Sequence, residues 1–129
     1  MASRFDAAIA AICAESGWKP SAPDADGKVH FSLKEMEFTL AAPDDCHLCF
    51  LHPLVTPAPD EAPDVEAERL ARMVVARERK AAILSFYEGT FYLHVMVDMA
   101  ATRPQEIPAI CQDFLNDCDW WRQNHSSFT

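Results

Sequence analysis

The hydrophobic period of this chain, more than any motif in it, constrains what it can fold into. Apolar residues recur at helical spacing in Phe5–Cys13, around Leu70–Val75 and in Ile107–Trp121. They alternate at strand spacing in Val29–Leu33, Met36–Leu40 and Phe91–Val97. The resulting order is helix, three strands, helix, two strands, helix. The links Lys34-Glu35 and Glu88-Gly89 are short enough for hairpin turns. The expected fold is therefore α+β, a single antiparallel sheet of about five strands with three helices. Three helices can shield only part of such a sheet, so some apolar surface has to meet a second copy of the chain or another protein.

Local signals sharpen the elements. Ser3 can cap the first helix, and Asp6 follows where a negative charge suits the helix dipole. Phe5, Ala8, Ile9, Ile12 and Cys13 make one stripe, Gly17 ends the helix, and Trp18 is expected to fold back over that end. Asp26-Gly27 marks a turn before a first strand over Lys28–Leu33; Met36–Ala41 is the second. The third, His47–Leu54, is apolar on both faces, which makes it central or covered. Pro53 to Pro63, with four prolines, reads as a mobile loop. A second helix is expected from about Asp64 to Lys80, with Ala67, Leu70, Met73 and Val74 as its apolar side and Arg77, Arg79 and Lys80 in its last turn. Ala82–Glu88 and Thr90–Asp98 complete the strands. The third helix runs from near Pro104 to Asn124. Its stripe makes Trp121 more buried than Trp120, which falls beside Asp113 and Asp117 on the polar side. Residues 125–129 read as a tail, and 1–129 as one domain.

Charge narrows the partners. A formal net charge of −9 argues against nucleic acid and against anionic membranes, both of which need clustered Lys and Arg. No apolar run approaches the roughly 20 residues that span a bilayer, and Met1–Ala14 is amphipathic rather than signal-like. The five cysteines are an odd number, and Cys13, Cys111 and Cys118 fall within helical stripes. That pattern suits free thiols in a reducing cytoplasm.

Candidate chemistry is thin, and the chain is not expected to be an enzyme. Cys46-His47-Leu48-Cys49 with His52 invites a zinc site, but the second half-site is missing, and on a strand Cys46 and Cys49 point to opposite faces. Asp24-Ala25-Asp26-Gly27 echoes a calcium loop with too few acids, so a turn is the better reading. His94 has no Ser or Cys of suitable context and reads as a solvated or interface side chain. Asp64, Glu66, Glu68 and Glu78 interleave with Arg69, Arg72, Arg77 and Arg79 as a salt-laced exposed face. Three glycines leave no phosphate loop. No catalytic residue, metal or cofactor is expected.

Taken in order, Phe5…Ile12-Cys13…Gly17-Trp18, Asp26-Gly27-Lys28-Val29-His30-Phe31-Ser32-Leu33, Phe38-Thr39-Leu40, Gly89-Thr90-Phe91-Tyr92-Leu93 and Phe114-Leu115-Asn116-Asp117-Cys118-Asp119-Trp120-Trp121 resemble the class I type III secretion chaperones, the Tir-chaperone family. The resemblance covers nearly the whole chain. It implies a non-catalytic bacterial cytoplasmic protein. That protein is a homodimer, and it binds the N-terminal region of a secreted effector as an extended segment, keeping it soluble and export-competent. On this reading Trp18, Val29, Phe31, Leu33, Phe38, Leu40 and Phe50 supply effector-binding patches. Leu70, Met73, Val74, Leu84, Phe86 and Leu93 form the dimer interface. The YbjN-like family, which the resemblance takes to share this fold, implies the alternative: a regulatory or protein-binding module of this fold without a secretion role.

Overall fold

The structure, a computed structural model, describes residues 3–33, 36–76 and 82–125. Helix α1 (Arg4–Ser16) starts at a capping box: the Asp6 amide donates to Ser3 Oγ (3.1 Å) and the Ser3 amide to Asp6 Oδ2 (3.4 Å). It stops at Gly17, whose φ of 78° lets its amide turn back to the Cys13 carbonyl at 2.8 Å. Strands β1 (Val29–Ser32), β2 (Glu37–Ala41) and β3 (His47–Val55) follow, then helix α2 (Pro63–Ala76), strands β4 (Ile83–Tyr87) and β5 (Thr90–Asp98), a short 3-10 turn at Pro104–Glu106, and helix α3 (Ile107–Asn124).

The strands form one sheet in the order β1-β2-β3-β5-β4, antiparallel throughout. The fold class and element order expected from the hydrophobic period are those observed. β3 lies in the middle of the sheet, between β2 and β5, with Leu48 and Phe50 buried on the helix side and Leu51 half-buried on the other. The β4–β5 turn has positive φ at both Glu88 (48°) and Gly89 (80°), the type I′ geometry that matches strand twist.

Helices α1 and α3 cover one face of the sheet. Into that layer point Val29 and Phe31 of β1, Phe38 and Leu40 of β2, Leu48 and Phe50 of β3, and Leu93 and Val97 of β5, all buried. Phe31 and Phe38 stack with centroids 4.8 Å apart, and Phe50 meets Phe114 of α3 at 5.6 Å. Trp121 is fully buried and Trp120 lies half-buried against its edge, as the stripe of α3 requires.

Several local expectations are corrected. Pro53 and Leu54, which the expected third strand and the expected loop both claimed, belong to β3; the strand runs on to Val55, so the connection to α2 is residues 56–62. Proline is tolerated there because the β3–β5 register shifts between Pro53 and Val55, where a missing donor costs least. Pro63 opens α2, a position whose amide has no helical partner anyway. Ala67 is exposed, and Glu66, one position earlier, is the buried residue. Its carboxylate meets the Arg69 guanidinium at 2.7 Å and the ring of His125, so His125 tethers the end of α3 to α2 instead of starting a tail. Asp117 is buried too: the chain entering β4 passes over α3, and the Ala82 amide donates to Asp117 Oδ2 at 2.7 Å. The Lys34-Glu35 turn, the expected end of α2 with Arg77, Arg79 and Lys80, and residues 126–129 lie outside the described residues.

Candidate protein-binding surfaces

Among the described residues no helix covers the second face of the sheet, to which alternate side chains of each strand point. Register aligns His30, Thr39, Leu51, His94 and Ile83 in one row across all five strands of that face. A shallow groove of about 720 Å³ crosses it, lined by His30, Thr39, Leu51, Ser85, Tyr87 and Tyr92 among others. Large apolar side chains concentrate toward β4: Ile83 is 54% exposed, Tyr87 66% and Met96 49%. On the helix side of the same edge Phe86 is 50% exposed, tilted over Phe91 at 4.5 Å. These exposed aliphatic and aromatic groups make the β4 end of the sheet a candidate contact surface; Val65 and Val75 of α2 are exposed as well.

The two edges of the sheet differ. Tyr87 and Thr90 close the two-residue turn, so Ile83, Ser85 and Tyr87 bond inward to β5. Leu84 and Phe86 therefore aim their backbone N–H and C=O groups outward, and no further backbone bond reaches them among the described residues. The β1 edge, in contrast, is covered by residues from the α1–β1 connection.

The side chains expected to meet an effector fall into two groups. Val29, Phe31, Phe38, Leu40 and Phe50 are buried under α1, α3 and Trp18, and hold up the core of the chain itself. Trp18 and Leu33 are half-buried at the β1 end, with Trp18 edge-on to Phe31 (6.3 Å) and Phe38 (6.0 Å). The expected dimer set divides likewise. Leu70, Met73 and Leu93 are buried in the core, Val74 and Leu84 are half-buried, and Phe86 is open. Ile83, Tyr87 and Met96, which were not singled out, are the more exposed neighbours. Their strand parity was readable from the sequence, but their place at a sheet edge was not.

The polar candidates have structural surroundings. Asp24 Oδ1 accepts from the amides of Asp26 (2.9 Å) and Lys28 (3.0 Å), building the turn that Gly27 completes with φ of 79°. His94 is half-buried and bonds Ser85 Oγ at 3.1 Å. Burial pushes the Cys49 thiol above its ordinary value and the Cys111 thiol up to about 12, which keeps both protonated at neutral pH. Among the described residues no three His, Cys, Asp or Glu side chains converge as a metal site, and no helix is long and apolar enough to cross a membrane.

His52 is buried on the helix side of β3, its Nδ1 donating to the Glu37 carbonyl at 2.7 Å. Burial, opposed by that hydrogen bond and assisted by Arg122, holds its pKa below the ordinary 6.5. The unfolded chain then binds a proton that the folded chain refuses. Stability conferred by neutral His52 is complete above about pH 6.5 and is lost as pH falls through the lowered value. The urea midpoint of the wild type is expected to drop more between pH 7 and pH 5 than that of His52→Leu; equal slopes would show that His52 is not the group responsible.

A sequence model of the Tir chaperone protein (CesT) family matches residues 7–122. No curated protein matches the chain in sequence. Among solved structures, a chain of the ExsC–ExsE complex superposes with a TM-score of 0.65 at 14% identity, covering 95% of this chain and 96% of that one. A chain of the HopA1–SchA chaperone–effector complex gives 0.63 at 14% identity, covering 93% and 94%. An uncharacterized protein from Methanothermobacter thermautotrophicus gives 0.58 at 9% identity, covering 90% and 94%. At such identities these likenesses establish the shared fold alone.

Proposed function

Because the chain belongs to the Tir chaperone protein (CesT) family, we propose that it is a non-catalytic chaperone of type III secretion. It binds the N-terminal region of a secreted effector as an extended segment, keeps that region soluble and export-competent, and acts as a homodimer in the bacterial cytoplasm. The observation that carries this reading is the lopsided sheet: among the described residues one face is clad by helices and the other is bare, with Ile83, Phe86 and Tyr87 exposed along the β4 edge and Met96 exposed on β5 beside it. A disordered client suits such a protein, because a segment that wraps a large surface can be held firmly with little affinity per unit area. The charge of −9 keeps a chain with exposed apolar groups soluble.

Edge β4 suits a second copy. Antiparallel pairing about a two-fold axis at Ser85 sets Leu84 opposite Phe86 of the other copy, and each of those residues has an outward backbone donor and acceptor without a backbone partner among the described residues. The pair would be apolar on the helix side, next to half-buried Val74 of α2.

The test is recovery of the bound protein from the native cell, followed by truncation of that protein. Complex formation should survive removal of its folded C-terminal part and disappear when the N-terminal region is deleted, and export should fail in cells lacking this chain. A partner held through a folded domain, with export intact and transcription altered, would instead establish the regulatory alternative.

A further inference from the structure

Four hydrogen bonds close the outer edge of β1. Its register with β2 turns the N–H and C=O groups of Lys28, His30 and Ser32 outward. Two of these three positions are already taken by residues 21–24 of the α1–β1 connection. The Ser21 amide donates to the His30 carbonyl at 3.0 Å and the Asp24 amide to the Lys28 carbonyl at 2.9 Å. In return the His30 amide donates to Ser21 Oγ at 3.3 Å and the Lys28 amide to Asp24 Oδ1 at 3.0 Å. The His30 ring adds a clasp: Nε2 lies 2.9 Å from Asp24 Oδ2, and Nδ1 lies 2.8 Å from Thr39 Oγ1.

This strap imitates a strand whose two donors are backbone amides but whose two acceptors are both side-chain oxygens. Every residue from Ser21 to Gly27 is exposed, so no apolar burial holds the strap down. Beside it, on the helix side, Trp18 and Leu33 remain half-buried and lack a full apolar cover. The β4 edge suits a second copy, which leaves β1 as the edge available to an extended client.

Building on the chaperone reading, we infer that residues 21–24 are an internal competitor for the β1 edge, and that an effector segment adds to the sheet there by displacing them. The exchange is nearly balanced in hydrogen bonds, since an incoming strand supplies backbone partners at Lys28 and His30 where the strap supplied its own. The surplus comes from Ser32, which the strap leaves unpaired among the described residues, and from an apolar side chain laid on Trp18 and Leu33. Without a client the strap blunts an edge that would otherwise recruit other strands.

The test uses the full chain and 12-residue peptides selected on it from a displayed random library. Asp24→Ala removes the strap's main acceptor, whereas Asp24→Asn keeps an oxygen for the Lys28 amide. Where the strap is closed in about nine molecules of ten, releasing it raises apparent peptide affinity about tenfold, by fluorescence anisotropy. The expected result is that gain in Asp24→Ala, little change in Asp24→Asn, and an exchange of amide protection. Bound peptide should slow hydrogen exchange at Lys28, His30 and Ser32 and speed it at Ser21 and Asp24. Peptides that bind both variants equally, and protect Leu84 and Phe86 or the groove instead, overturn the strap while leaving the chaperone reading intact. Failure of any peptide to bind either variant counts against that reading itself, and the inference falls with it.

Discussion

Alanine at Phe31 or at Phe50 should destabilise the chain by about 3–5 kcal/mol, whether or not an effector is present. Neither ring has any exposed surface. Phe31 is stacked on Phe38 at 4.8 Å and Phe50 leans on Phe114 of α3 at 5.6 Å, so each truncation opens a cavity between the sheet and the helices. Against a typical total stability of about 5–15 kcal/mol, that loss should lower the melting temperature by roughly 10 °C or more. Thermal melting followed by circular dichroism checks it. Trp18→Ala and Leu33→Ala should behave differently, because both side chains already touch solvent. They should cost less stability and weaken peptide binding more. A stable Phe31→Ala protein that has merely lost its client would mean that the ring faces the partner, not the core.

Aspartate at Phe86 or Ile83 should convert a dimer to a monomer. Both side chains are about half exposed in the chain (50% and 54%), so the fold tolerates the charge. An interface would not, because a carboxylate at its centre is desolvated without a partner. The expected weakening is at least about 100-fold, read by light scattering across a dilution series, with an unchanged far-ultraviolet spectrum. Leu70→Asp is the contrasting variant. Leu70 is fully buried in the chain's own core, so this substitution should unfold the protein rather than dissociate it. A wild type that is monomeric at micromolar concentration, or a Phe86→Asp protein that stays dimeric, overturns the assignment of this edge.

Much of the architecture was legible from local pattern. The α1 stripe with its Ser3 and Gly17 ends, the alternation of Phe91–Val97 and the Glu88-Gly89 turn each depend on neighbours a few residues away. Local pattern misled where the partner was distant. Glu66 sits among alternating charges and reads as exposed, yet His125, 59 positions on, buries it. Asp117 reads as the polar side of α3, yet the Ala82 amide, 35 positions back, needs it. Local signals put Pro53 both in the third strand and in the loop, and its register against β5, which shifts just after it, keeps it in β3. Around Cys46–His52 the missing second half-site already argued against zinc, and Cys49 and His52 are buried.

The candidate surfaces follow the same division. Alternating apolar faces announced that the sheet would leave grease uncovered. They could not say which of Phe31, Phe50, Phe86 and Ile83 would be covered from within.

By itself the sequence determined the strands and helices, their order, the Glu88-Gly89 turn and the family, since all of these rest on periodicity and on residues close in the chain. Only the tertiary structure decided which strand stands at an edge, which aromatic rings the helices claim, and that Ser21 and Asp24 close over β1. Those outcomes depend on pairings between segments far apart in sequence, and alternation along a single strand is the same whichever neighbour that strand acquires.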